Sequence, residues 1–458
     1  MSCIRKTPSR QCVRDISPHW GWMVVVAAFV TNFIVVGLSN SSGLYYTEWM
    51  DHFQSSSGVT AWIGSMNIGL LCLAGPFASF LVGHFGDRKV VIVGGLLAAV
   101  GLISSSFVEN VYVLMVTYGI ITGVGFSFCF NSMATVPMFF FTPESAGLAI
   151  GLAMSGGGCG SFIMPLLIQY LVKIFGWKGS LLILGGLTLN VVVCGALLRS
   201  PSMPDEDPPP IGTRRLRRRS SVVKVSLLKN CSFLLFILHQ TLFTIGSSVV
   251  YVHVSAVIEI LTGEERFHCQ LALTMIGVAN FFGRIIQGGL GGLKCVNVMS
   301  QYLLSYLIVG GVILAFPSVP YFPVLLFLCG VFGFCTAPYA TLVQLIAVKI
   351  AGLHNLKVAY SMFLFMCGIG LLVGAPIAGI LYDVTKRYGT SMYFGGTSVI
   401  LCVLVMIKPW YDDIKTRINL RKMRPETYNS FVFDIKEKTE VVIVSTARTL
   451  NEETISML

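Results

Sequence analysis

The sequence predicts an all-α membrane protein with twelve transmembrane helices in two six-helix bundles. Three observations predict it. Uncharged apolar runs long enough to cross a bilayer, about 18 residues or more, recur along the whole chain. Only 12% of the 458 residues are charged and 54% are hydrophobic, with a mean hydropathy of +0.77, whereas a soluble domain carries about 25% charged residues. One long hydrophilic break, 199–230, divides the predicted spans six and six.

The elements follow in order. The tail 1–18 is polar and basic (Arg5, Lys6, Arg10, Arg14). Trp20-Gly21-Trp22 then sets a tryptophan pair at the membrane boundary. The first span runs from there to about Tyr45; it lacks a small-residue cleavage site and reads as a retained span. The link 47–57 holds Glu48, Asp51 and His52 but no Lys or Arg. Spans two to six are expected near 59–83, 90–108, 111–136, 146–172 and 179–198, completing a bundle over 19–198. In the linker 199–230, Arg214–Arg219 precedes Ser220-Ser221. That run suits anionic lipid and has the form of a basophilic kinase site, or is simply a solvated positive loop. Six more spans near 231–258, 269–292, 298–316, 321–348, 357–382 and 390–408 make the second bundle, 231–408. The tail 409–458 is charged and ends on Ser456-Met457-Leu458, a form that can add a strand to a PDZ domain.

Charge sets the expected topology. With both termini and the linker cytoplasmic, only Lys173, Lys178, Arg266, Lys386 and Arg387 fall outside, which obeys the positive-inside rule. The net charge of +11 is spread over short inter-helix segments and the tails, so it is no nucleic-acid footprint. The sequons at Asn40 and Asn230 fall in a span and on the cytoplasmic side, and neither is expected to carry a glycan. The 13 cysteines show no metal spacing. With no zinc, nucleophile-elbow or phosphate-loop pattern either, the sequence implies no enzyme and no cofactor. The glycines of 151–160 instead let helices approach closely.

Two patterns point to a moving carrier. Gly83-x-x-Gly86-x-x-Lys89 follows span two and Gly288-x-x-Gly291-x-x-Lys294 follows span eight, the same place in each half. Such a parallel repeat implies two bundles rocking about a midplane site. Arg284 is the one Lys or Arg in the interior of a predicted span, and Gly277, Asn280, Arg284, Gln287 and Gly291 share a helix face. A charge there costs roughly 2.5–3.5 kcal/mol on insertion scales and persists where it faces a wet cavity and meets something negative. The planar guanidinium fork suits a carboxylate. With Asn280 neutral, no fixed anion sits four residues before it.

Gly83-His84-Phe85-Gly86-Asp87-Arg88-Lys89 resembles the loop signature of the major facilitator superfamily. More specifically, from Trp20 to about Pro409 the chain resembles the monocarboxylate transporter family. The resemblance rests on Trp20-Gly21-Trp22, Gly147–Gly160 (GLAIGLAMSGGGCG), Gly176-Trp177-Lys178-Gly179-Ser180, Gly195–Arg199 and Ala375–Asp383 (APIAGILYD). It implies the major facilitator fold, a small organic acid as solute in the plasma membrane, and a single-span glycoprotein as escort. It also makes Gly83, Asp87, Arg88 and Lys89 a conformational latch. The chain departs from the proton-coupled lactate carriers at three places. Asn40 stands for their first-span lysine, Pro143-Glu144-Ser145 for paired arginines, and Asn280 for an Asp four residues before the eighth-span Arg. Proton symport therefore stays open.

Asn40, Asn280 and Tyr251 join Arg284 as solute-binding candidates, beside the alternative that the two asparagines only join helices. His239, Gly246 and His253 share a face of span seven. Histidine titrates near neutral pH, so His253 is the candidate for proton coupling, beside a plain packing role. Phe281, Phe282, Tyr339, Phe363 and Phe365 would serve as an aromatic cage or as packing. The expected function is a carrier of small monocarboxylates or related organic acids by alternating access. Two alternatives remain: a carrier of a creatine- or carnitine-like zwitterion, and a non-transporting membrane sensor or partner protein.

Overall fold

Inside a bilayer the backbone has no water to bond, so an apolar chain must satisfy its own amides, and a helix does so within one segment. The computed structural model describes residues 18–198, 229–263, 266–293 and 295–422, and holds no strand among them. The N-terminal half is built of α1 Pro18–Asn40, α2 Tyr46–Phe53, α3 Ser57–Leu73, α4 Gly75–Phe85, α5 Asp87–Ser105, α6 Val111–Leu114, α7 Thr122–Thr135 and α8 Pro143–Leu197. The C-terminal half is built of α9 Cys231–Thr262, α10 Arg266–Gly291, α11 Val298–Ala315, α12 Phe322–Thr336, α13 Pro338–Ala351, α14 Leu356–Thr385 and α15 Tyr388–Val405. Both halves lie in one compact unit ending at Met406, and α16, Ile407–Lys422, opens a second. Arg214–Arg219, Lys294 and Ser456–Leu458 lie outside the described residues.

Among the described residues ten helices are long and apolar enough to cross a membrane. The pair Trp62–Leu73 and Gly75–Phe85, bent by 48°, supplies another crossing. Glu144–Leu197, counted once, is 54 residues long, far more than a bilayer needs. It breaks at Gly176, where φ is 68°, a region open to glycine at no steric cost. It therefore supplies two spans, and the crossings number twelve. Two further breaks have visible causes. Pro76 starts α4 and Pro338 starts α13, positions where the missing N–H costs nothing.

The first span stops at Asn40 rather than near Tyr45, and the expected link 47–57 is mostly α2. The reason is amphipathicity. Tyr45 and Trp49 are buried, stacked at 5.2 Å, while Glu48, Asp51 and His52 face outwards. Trp49 also meets Tyr118 edge-on at 5.0 Å, so this short helix caps the N-terminal bundle.

Glycine sets how closely α1 and α8 run. A Cβ at Gly156 would overlap the Phe29 carbonyl, and one at Gly160 the Phe33 carbonyl. Asn32 Nδ2 ties the same pair by donating to the Ala153 carbonyl at 3.0 Å. Gly156→Val is expected to lower thermal stability by several degrees and reduce the monodisperse fraction in detergent. Gly186→Ala, where an added Cβ meets nothing within 4 Å, is expected to leave both unchanged.

Candidate functional site

The two halves meet along two seams. On the first, α8 runs against α10. A Cβ at Gly147 would overlap the Gly288 carbonyl, one at Gly151 would stand 2.6 Å from the Arg284 carbonyl, and one at Gly158 3.1 Å from Phe281 Cα. On the second, α14 runs against α3 and α4. A Cβ at Gly75 would lie 3.1 Å from the Ser361 carbonyl, one at Gly368 3.0 Å from Cys72 Cβ, and one at Gly69 3.7 Å from Leu372. Lys357 closes one end, with Nζ 2.5 Å from Asp87 Oδ2. At the other end the contact stops: Gly277 faces open space, and Val373 and Pro376 are exposed. Arg284 lies between the two ends, with the Gly158–Phe281 contact one turn nearer the open end.

Arg284 is half-buried and reaches across the seam. Its Nη1 donates to the Met154 carbonyl of α8 at 2.5 Å. Its Nε is buried and has no hydrogen-bond partner, and among the described residues no carboxylate lies within ion-pair distance of it. Tyr251, Tyr339 and Tyr360 lie within electrostatic reach of the guanidinium. Tyr251 is 44% exposed, with its ring 5.6 Å from that of Phe332. Asn40 belongs to the same neighbourhood. Its Nδ2 donates to Ser161 Oγ at 2.8 Å, and Ser161 donates to the Gly157 carbonyl at 2.9 Å. Gly157 in turn faces Arg284 Nη1 and Val36, one helical turn before Asn40 on α1.

The polar face predicted for α10 divides. Asn280 Nδ2 donates to the Gly333 carbonyl at 3.1 Å and to the Thr336 hydroxyl at 3.2 Å. Gln287 Nε2 donates to the Phe334 carbonyl at 2.8 Å. Those two side chains join α10 to α12, and only Arg284 turns to α8. The histidine face of α9 is a packing face. His239 Nδ1 donates to the Cys402 carbonyl at 2.8 Å, Gly246 meets Gly395, and the His253 ring lies 5.8 Å from that of Tyr388. All three partners are on α15. His253 thus lies about 200° around α9 from Tyr251. The aromatic candidates separate too: Phe281 and Phe282 pair with each other at 5.2 Å, and Tyr339 pairs with Phe363 at 5.7 Å.

Of the loop residues, Gly83, Arg88 and Lys89 are exposed, whereas Asp87 is buried. Gly86, with φ at 82°, turns the chain so that Asp87 starts α5, where a carboxylate suits the positive helix end. Lys357 Nζ also sits 5.3 Å from the Phe139 ring centroid. Sequence reasoning missed Lys357 and the Met154 carbonyl. They lie 270 and 130 residues from their partners, and no local pattern pairs such positions.

Because Asn280 spends its amide on α12, Asn280→Ala is expected to cost about 1–2 kcal/mol of stability, read as a lower melting temperature in detergent.

Comparison with known proteins bears on the fold and the family. The family model for the Major Facilitator Superfamily matches residues 27–316, more than half of the chain. Monocarboxylate transporter 9 of Gallus gallus is 29% identical, with 90% of this chain and 97% of the relative covered. Monocarboxylate transporter 12 of Homo sapiens is 28% identical, with 88% and 83% covered. Among solved structures, the major facilitator transporter FucP in its outward conformation superposes with a TM-score of 0.65 at 16% identity, over 83% of this chain and 97% of FucP. The chain is thus a membrane transporter rather than an enzyme, and it belongs to the Major Facilitator Superfamily as a divergent member of the monocarboxylate transporter family.

Proposed function

We propose that this transporter carries small monocarboxylates or related organic acids across the plasma membrane by alternating access, with Arg284 holding the carboxylate. The observation that carries the reading is the buried, unpartnered Nε of Arg284. With Nη1 engaged by Met154, the edge formed by Nε and Nη2 is the one a carboxylate takes side-on through two hydrogen bonds. The names of the relatives, monocarboxylate transporters 9, 12 and 14, support the solute class. The distribution of Lys and Arg supports cytoplasmic termini, which makes the Asp87–Lys357 end the inner one and the open end the outer one.

Position 280 brings no titrating group to the site, since its amide bonds α12. Obligatory proton coupling therefore has no group there to serve it. The Asp87–Lys357 pair serves as the inner latch, joining the two halves at the end that must part when the carrier turns. A zwitterion is the second reading. The exposed ring of Tyr251 would face a cationic group on a solute whose carboxylate the guanidinium holds.

The test is uptake of labelled lactate, pyruvate, ketone bodies, creatine and carnitine into cells, at acidic and neutral external pH. Arg284→Ala is expected to reduce uptake of the transported solute to background, because truncating one partner of a buried charged contact costs roughly 2–5 kcal/mol. Wild-type uptake is expected to change little with pH; steep acid stimulation would assign proton coupling to another group. Full uptake by Arg284→Ala would overturn the role of the arginine. No flux of any solute, with surface expression confirmed, would favour a non-transporting protein.

For the latch, Asp87→Lys and Lys357→Asp are each expected to lower uptake several-fold, and the double exchange to restore part of it. Single reversals that leave uptake unchanged would remove the latch from the mechanism.

A further inference from the structure

Arg284 belongs to the C-terminal half, and the carbonyl that holds its Nη1 belongs to the N-terminal half. The bond is 2.5 Å long and spans 130 residues of sequence. Its geometry depends on one residue. A Cβ at Gly157 would stand 2.9 Å from Arg284 Nη1 and 3.3 Å from Val36 Cβ. A side chain there therefore pushes on the guanidinium first and on Val36 of α1 next. The bond lies on the α8–α10 seam between the Gly151–Arg284 and Gly158–Phe281 approaches, and the Asp87–Lys357 pair closes the inner end of the other seam.

We infer that Gly157 is a positioning residue: it bares the Met154 carbonyl as a dock that fixes the Arg284 guanidinium only while the Asp87 end is closed. The inference rests on the reading of Arg284 as the carboxylate seat. With Nη1 held, the guanidinium plane is set, and the unpartnered Nε edge, closed to water in this state, is preorganised for the carboxylate that reaches it. When the halves rock, α8 and α10 part at the closed end and the dock leaves Nη1. The fork then loses its fixed plane and the carboxylate is held less tightly. Affinity is higher on the side to which this state opens and lower on the side of release. A guanidinium does both tasks because its donors point along several edges at once; an ammonium has no such fork.

The test compares half-saturation for uptake with that for efflux from preloaded cells, using whichever of labelled lactate, pyruvate or 3-hydroxybutyrate the wild type moves fastest. The wild type is expected to show a half-saturation for uptake about tenfold below that for efflux, the weight of one hydrogen bond to a charged group. Gly157→Ala is expected to raise the uptake value until the two converge, leaving the efflux value in place. Damage to the fold alone would lower the maximal rates in both directions and keep the ratio. Should Gly157→Ala fail to reach the surface, Arg284→Lys decides, since it retains charge without dock or fork; it too is expected to abolish the asymmetry. A symmetric wild type, or a Gly157→Ala carrier with wild-type asymmetry while Arg284→Ala is silent, overturns the dock alone. Uptake that survives Arg284→Ala, or no uptake of any probe, overturns the carboxylate seat and the dock together.

Discussion

The close approach of α8 and α10 is the constraint on which the rest of the site depends. Helices in lipid gain nothing from hiding apolar surface from one another, so they associate through tight packing and polar contacts. Here Gly147, Gly151 and Gly158 bring the backbone of one half against Gly288, Arg284 and Phe281 of the other. That proximity puts a backbone carbonyl of α8 within reach of the one arginine in the spans. Larger residues along this seam would separate the halves and leave the guanidinium with no partner in the facing bundle.

The charge in the span is tolerated for a physical reason that differs from a simple ion pair. No described carboxylate answers Arg284; the Met154 carbonyl of the facing half does. A carbonyl dipole satisfies one donor without neutralising the cation. Attraction for an anion therefore survives, in a place where water is scarce and the interaction is stronger than at a surface. The one ion pair described between the halves lies elsewhere, at the Asp87 end.

Polar residues that look alike in sequence do different work. Asn280 and Gln287 flank Arg284 on a common helical face, yet their amides bond Gly333, Thr336 and Phe334 of α12. The small differences in angle around α10 send them to one neighbour and the arginine to another. His239, Gly246 and His253 share a face at steps of seven, and that face is the one that packs on α15. Periodicity identifies a shared face; it does not say which helix stands opposite.

The sequence by itself determined the class and the outline. Long apolar runs leave a bilayer-spanning backbone no option but helix. The hydrophilic break at 199–230 divides the chain into two sets of six, and a lone Arg284 marks its own position because charge in a span is costly. The glycine run of α8 was legible too, as was the Gly83–Lys89 loop. Only the tertiary structure decided the pairings: Asp87 with Lys357, Arg284 with the Met154 carbonyl, Asn280 with α12 rather than with the arginine four residues on. It also decided that most of 47–57 is a helix with Trp49 buried and not a loop, because Trp49 finds Tyr45 and Tyr118 only once the bundle is formed. Local chemistry fixes what a residue can bond; the partner is set by which helices meet, at what depth and at what rotation, and that is a property of all the spans together.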